Sequence, residues 1–138
     1  MYKLSDIVER KFTGIVDLDE WEIDTPTGWQ PVKKIMKTVE YRAWKVVLAN
    51  GYSMTGADKH IVITTLGERY LEELVPGDFV NTDSGPSMVV YCIDMGYEEE
   101  MFDVEVDDKD HVFYSNGIVS HNTTVAAGYL LHQLVFNK

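Results

Sequence analysis

Three consecutive residues, His121, Asn122 and Thr123, carry side chains that can cut and rejoin a peptide chain at one place. The side-chain amide of an asparagine can attack its own backbone carbonyl. A succinimide ring closes and the following chain is released, provided that something protonates the departing amine. A neighbouring imidazole can supply that proton near neutral pH. The hydroxyl of Thr123 can hold an acyl group as an ester; once its own amine is freed, the acyl group passes from oxygen to nitrogen and becomes an amide. An isolated His-Asn pair is more often part of an ordinary polar turn that closes a strand, so the surroundings decide what this junction means.

A junction of this kind needs a frame that holds its groups still, and most of the chain reads as short strands. Glu20 to Asp24 alternates polar and apolar residues, and Thr25-Pro26-Thr27-Gly28 follows with turn chemistry. A hairpin partner is expected over 29–35. A long β-branched and aromatic stretch over 38–49 ends at Asn50-Gly51, a strong hairpin signal, and residues 52–55 begin the return. Further strands are expected at 60–65, 79–80, 88–94, 100–106 and 111–114. One helical turn fits 69–74, and a polar loop fits 81–87. Two helices are expected at the ends: residues 2–12, with Leu4, Ile7, Val8 and Phe12 at helical spacing, and 124–136. Many short strands with few helices indicate an all-β fold.

Composition narrows the function classes. The 138 residues suit one domain with a modest core. The single cysteine, Cys92, excludes an internal disulfide and is expected to be a small core residue; no CxxC pair suggests zinc. No apolar run approaches the length of a membrane span and no signal-peptide core opens the sequence, so a cytoplasmic location is expected. The formal net charge of −11, with carboxylates bunched at Glu98-Glu99-Glu100 and at Asp107, Asp108 and Asp110, disfavours nucleic acid and favours a basic partner. Each acidic cluster by itself reads as a solvated loop tip.

The run MFDVEVDDKDHVFYSNGIVSHNT, residues 101–123, resembles the two C-terminal motif blocks of inteins, the self-splicing elements with a Hint fold. Phe102 to Val106 is similar to their "YDLxV" strand, His111-Val112-Phe113 to "HNF", Asn116-Gly117-Ile118-Val119 to "NGIxV", and His121-Asn122 to the terminal pair. TPTGWQPVKKI, residues 25–35, resembles "TPxGWxPI", and residues 46–64 resemble the block that holds an activating histidine, here His60. The resemblance implies a horseshoe-like β fold over residues 1–122 and host sequence, the C-extein, over 123–138.

By the same resemblance, His60 would act on the upstream scissile amide, Asp103 would sit near the thioester centre, and His111 would assist Asn122. The usual Thr-x-x-His pattern is broken, because Ala57 stands three residues before His60. Ala57-Asp58-Lys59-His60 is similar to a variant "ADxH" form in which Asp58 takes part of the threonine's role. Splicing ordinarily starts from a Cys or Ser as first residue, whereas this sequence opens Met1-Tyr2-Lys3-Leu4-Ser5. That implies the C-terminal piece of an intein split near its N-terminus, incomplete without a short, Cys-led, basic N-intein. No metal or organic cofactor is implied. The loop at 81–87 stands where larger relatives carry a homing endonuclease.

TTVAAGYLLHQLVFNK, residues 123–138, resembles the helix after the phosphate-binding loop of phage terminase large subunits. The preceding G-x-x-x-x-G-K is missing, so ATP binding is not expected. An inactive intein remnant that only docks its partner is the main alternative reading, and a phage ATPase fragment a third.

Overall fold

The computed structural model describes residues 12–17, 20–106, 112–121 and 136–137. Strands form where β-branched and aromatic residues alternate with polar ones, and tight turns separate them. In chain order they are β1 (Phe12–Asp17), β2 (Glu22–Thr25), β3 (Gly28–Leu48), β4 (Ser53–Ala57), β5 (Ile61–Thr64) and β6 (Gly67–Tyr70), then a 3₁₀ turn at Leu71–Glu73. There follow β7 (Phe79–Val80), β8 (Ser87–Val106), β9 (Val112–Ser115), β10 (Ile118–His121) and β11 (Phe136–Asn137). No α-helix occurs among the described residues. The all-β Hint-type expectation is met.

The strands form one antiparallel sheet in the order β11-β2-β3-β8-β7-β5-β10-β9, with β1 and β4 also on β3 and β6 on β5. Its axis is the pairing of β3, 21 residues long, with β8, 20 residues long, running from Val32 opposite Val106 to Leu48 opposite Val89. Separate strands were expected at 29–35 and 38–49, and again at 88–94 and 100–106; each pair is instead one bent strand. Register slips between Lys37 and Glu40 and between Arg42 and Trp44 absorb the bends that the sequence marks as breaks. At the first slip the buried Thr38 fills the gap in the ladder. Its Oγ1 accepts from the Met101 N–H at 3.0 Å and donates to the Val39 carbonyl at 2.7 Å. At the second, Gly96 takes φ +84°, and its N–H donates to Asp94 Oδ1 at 2.9 Å. Glu98, Glu99 and Glu100 accordingly lie exposed on β8 and not at a loop tip, with Lys37 3.3 Å from Glu100.

Both terminal helices need correction where they can be checked. Residues 1–11 lie outside the described residues, but Phe12 opens β1. Residues 122–135 likewise lie outside them, but Phe136 and Asn137 pair antiparallel with Ile23 and Glu22. The outer edge of β2 offers unpaired backbone donors and acceptors, which a strand satisfies and a helix cannot.

Two apolar clusters bend the sheet. One gathers Val46, Leu48, Met54, Val62, Leu71 and Ile118, with Cys92 partly buried against it. The other gathers Ile23, Val32, Val104, Val106 and Phe113, which draws β9 against β2 although the two stand almost at opposite ends of the strand order. Fully burying one such side chain is worth roughly 1.5–3 kcal/mol, so curling the sheet is favoured over leaving both faces wet.

The turns repeat one local device. In Thr25-Pro26-Thr27-Gly28, Thr64-Thr65-Leu66-Gly67 and Thr82-Asp83-Ser84-Gly85 the threonine hydroxyl donates to the glycine carbonyl, at 2.6, 2.8 and 2.5 Å. The same oxygen accepts the N–H of the residue two further on, at 3.2, 3.2 and 3.1 Å. This is the local side chain to backbone bonding that favours threonine at turns. The β9–β10 hairpin turns at Asn116 and Gly117, whose φ values are +49° and +79°. A Cβ on Gly117 would lie 2.5 Å from the Tyr52 ring, so the glycine is demanded twice, by backbone and by space. Asn116 Nδ2 donates to the Ser53 carbonyl at 2.9 Å and Asp83 N–H to the Gly117 carbonyl at 2.9 Å, which docks the hairpin on β4 and on the 81–87 loop. Replacing Gly117 with Ala should destabilise the chain by about 1–3 kcal/mol, read as a lower urea midpoint with unchanged slope; an unchanged midpoint would mean that this turn is not constrained by Tyr52.

Candidate functional site

His60 sits in the turn between β4 and β5. Its N–H donates to the Ala57 carbonyl at 3.0 Å and its carbonyl accepts from Leu71 N–H at 2.7 Å, so the backbone is held from both sides. The imidazole is fully buried, and Nε2 lies 3.0 Å from Ser120 Oγ. Ser120, also fully buried, faces Val62 across the β5–β10 pairing and directly precedes His121. No local pattern marks this contact, because the two residues are sixty positions apart.

Asp58 shapes the turn that presents His60. Its Oδ1 accepts from Lys59 N–H at 2.9 Å, while its N–H donates to the Arg42 carbonyl and its carbonyl accepts from Glu72 N–H, both at 3.1 Å. Lys59 is drawn aside by an ion pair with Glu72 and lies 5.0 Å from the centre of the Tyr70 ring. Ala57, in the position where a threonine was expected, is fully buried. Thr55 is half-buried in β4, opposite Lys45.

Asp103 lies on β8 opposite Met36, which in turn faces Ile15 of β1. It is not a solvated strand-edge residue but fully buried. Oδ1 accepts from the Val104 N–H at 2.8 Å, and Oδ2 has no hydrogen-bond partner among the described residues. Removal from water pushes its pKa well above the usual carboxylate value. The Val104 N–H opposes that shift, and the nearby Glu105 charge adds to it. Asp103 is therefore a buried acid able to hold a proton where most aspartates cannot.

His121 ends β10 opposite Val112, with Nε2 3.8 Å from Glu68 Oε1 of β6. Glu68 is a partner that sequence reasoning missed, since only the β5–β6 hairpin carries it there. Asn122, Thr123 and His111 lie outside the described residues. Cys92 behaves as expected: it is half-buried, its thiol donates to the Leu71 carbonyl at 3.1 Å, and burial pushes the thiol up to about 11.

A strand-only sheet curled on itself, with a buried histidine bonded to the strand that leads into His121 and a buried carboxyl on the long central ladder, defines a Hint-type domain. The chain belongs to the intein family, the protein-splicing domains. It is 30% identical to the VidaL intein with a TM-score of 0.69, over 73% of this chain and 69% of that one. The gp41-1 intein shares the fold at 23% identity and TM-score 0.64, over 80% of this chain and all of that one. So does a DnaB intein from Synechocystis sp. PCC 6803, at 23% and 0.60, over 75% and 77%. No family model matches the sequence, and no curated protein sequence does.

The raised pKa of Asp103 has a pH signature. An unfolded aspartate loses its proton near pH 3.9, whereas the folded one keeps it, so the stabilising protonation is complete below about that pH and is lost as pH rises through the folded pKa. Urea unfolding of the chain should therefore show stability falling with rising pH across this window. Asp103→Asn should flatten that dependence and be the more stable form at neutral pH; parallel profiles would show that the carboxyl does not titrate as a buried acid.

Proposed function

We propose that this chain is the C-terminal part of a split intein, residues 1–122, carrying a C-extein at 123–138, and that it splices in trans with a short Cys-led N-intein. The observation that carries the reading is the state of its thiol and its carboxyl. The only cysteine of the sequence packs against the core with its thiol pushed up to about 11, which suits a core residue and not a nucleophile, so in this reading the partner brings the first thiol. Asp103 meanwhile keeps a buried oxygen that no described residue engages. An engineered consensus intein described as having an atypical split site has a TM-score of 0.63 over 88% of this chain, at 21% identity, which agrees with a Hint fold built from unequal pieces.

In this scheme the partner's thiol attacks the carbonyl of the upstream junction. His60 takes the thiol proton and returns it to the amine that leaves, while the protonated Asp103 can donate to the developing centre. Thr123 Oγ then displaces the thiol and takes the acyl chain as an ester. Asn122 cyclises with His121 protonating the departing amine and His111 polarising the attacking amide. The freed Thr123 amine attacks the ester, and a peptide bond replaces it. Each group reacts once, so the process is self-processing. The acidic surface of this chain suits a basic partner, and the extein belongs to a host protein of the terminase type.

The test mixes the chain with Cys-led fragments of about 15–30 residues, enough for one or two strands and a turn. Mass spectrometry should find two flanking segments joined at Thr123. Asn122→Ala should abolish release of the 123–138 segment. Thr123→Ala should stop ligation while cleavage after Asn122 continues. If no such fragment yields ligated product, the chain is an inactive remnant that at most docks a partner.

A further inference from the structure

Strand β7 covers the outer edge of β8 only at its start. Phe79 and Val80 pair with Met88 and Ser87, the Val89 N–H donates to the Asp78 carbonyl at 2.7 Å, and the Gly77 N–H donates to the Val89 carbonyl at 3.1 Å. From Val90 to Glu100 the edge that faces away from β3 has no neighbouring strand among the described residues, whereas the other edge is paired with β3 as far as Glu40. That stretch is about 35 Å of extended chain at roughly 3.3 Å per residue. Open edges offer backbone donors and acceptors to any other chain, and proteins commonly shorten them, interrupt them with proline or line them with charge. No proline lies here, and apolar side chains stand in water: Val90 and Ile93 are 48% and 46% exposed, Tyr91 and Tyr97 38% and 41%. Tyr91 and Ile93 lie opposite Val47 and Lys45, on the face turned away from the core that Val46 and Cys92 join; Val90 is the extra residue at a register slip. Beyond the bend at Gly96 the edge turns acidic, with Glu98, Glu99 and Glu100 all exposed. Lys37 lies beside Glu100 and Arg42 is taken by Asp94 at 2.7 Å, while Glu99 has no ion pair among the described residues.

We propose that the open edge of β8 from Val90 to Glu100 is a docking site for an extended segment of a partner protein, basic in its N-terminal half and apolar in its C-terminal half, which joins the sheet as an added antiparallel strand. Every strand pairing among the described residues is antiparallel. A guest that keeps this sense runs from Glu100 towards Val90. Its basic residues then meet the three glutamates and its apolar residues meet Ile93 and Tyr91, the cross-strand pairs that stabilise a sheet. A second copy of this chain does not fit. Self-pairing centred on Met95 sets Glu98, Glu99 and Glu100 of each copy against Cys92, Tyr91 and Val90 of the other, and a centre nearer the glutamates sets carboxylates against carboxylates. The net charge of −11 on each copy opposes that association further, and it repels nucleic acid as well. The charges that keep copies apart thus select a basic guest. The surface uses none of the junction residues and does not depend on the splicing reading.

The probe is the acetylated and amidated peptide KRKTGTTVTVT, whose glycine falls opposite Gly96 and whose valines fall opposite Ile93 and Tyr91. Titrated into the ¹⁵N-labelled full chain, it should shift amide signals along Val90 to Glu100 and leave β4, β5 and β6 unmoved. Hydrogen exchange of the β8 amides that point away from β3 should slow by roughly tenfold or more, a readout that charge attraction without strand pairing does not give. The reversed peptide TVTVTTGTKRK has the same composition and charge, and it should bind roughly tenfold more weakly because an antiparallel fit puts its basic end beside the tyrosine. Glu98→Gln, Glu99→Gln and Glu100→Gln together, all on exposed side chains and so of little consequence for folding, should weaken the forward peptide by a similar factor. They should also remove the loss of binding expected between about 0.1 M and 1 M salt, over which the Debye length falls from about 10 to 3 Å. Absence of any shift, equal binding of the two peptides, shifts away from the β8 edge, or indifference to the triple substitution overturns the proposal. A concentration-dependent dimer of the chain alone that protects the same amides would give the edge to a second copy, and overturns it too.

Discussion

The pairing of β3 with β8 is the constraint on which the other parts depend. It runs through both apolar clusters and carries Asp103, and β3 also bears β1, β2 and β4 on its other edge. Strands of some twenty residues cannot stay straight, because twist accumulates along them and a flat sheet would leave Val46 and Val104 in water. The register slips resolve this by bending the ladder without breaking it, and Thr38 and Gly96 repair the backbone bonding at the bends. The second cluster then pulls Phe113 onto Ile23 and curls the sheet.

The interior of this curl is unusually polar for so small a domain. His60, Asp103, Ser115, Ser120 and Thr38 are all fully buried. Burying a polar group costs free energy unless it finds a partner, and three of these have found one: His60 with Ser120, and Thr38 with Met101. Asp103 has only half of its requirement met, by the Val104 N–H. A carboxyl in that state avoids the cost of a buried charge by keeping its proton to a pH well above the usual carboxylate range. The fold thus leaves Asp103 Oδ2 and Ser115 Oγ without hydrogen-bond partners among the described residues, with stability contributed by the apolar clusters on either side.

Local chemistry accounts for the turns. The three Thr-x-x-Gly turns need only the threonine hydroxyl and a glycine of positive φ, both visible in the sequence. Asn116-Gly117 adds a tertiary requirement to a local one, since the ring of Tyr52 fills the space a Cβ would take. A motif legible as a hairpin therefore proves to be also a docking surface for β4 and the 81–87 loop.

The sequence by itself determined the all-β class, the turns, and the order of chemistry-bearing residues ending at His121, Asn122 and Thr123, because strand periodicity and turn propensity act over a few neighbours. It also marked His60 and Asp103 through resemblance, and Cys92 as a core residue through its setting. It misread the length of β3 and β8, since Gly96 and the stretch near Thr38 look like breaks until a partner strand is present to carry the ladder across them. It could not show that Asp103 is buried, because alternation along a strand distinguishes two faces but does not say which face the curled sheet encloses. It could not place Ser120 on His60 or Glu68 beside His121, because those contacts join residues far apart in the chain. They exist only once the β5–β10 and β5–β6 registers are fixed, and those registers are set by turns and core packing acting together.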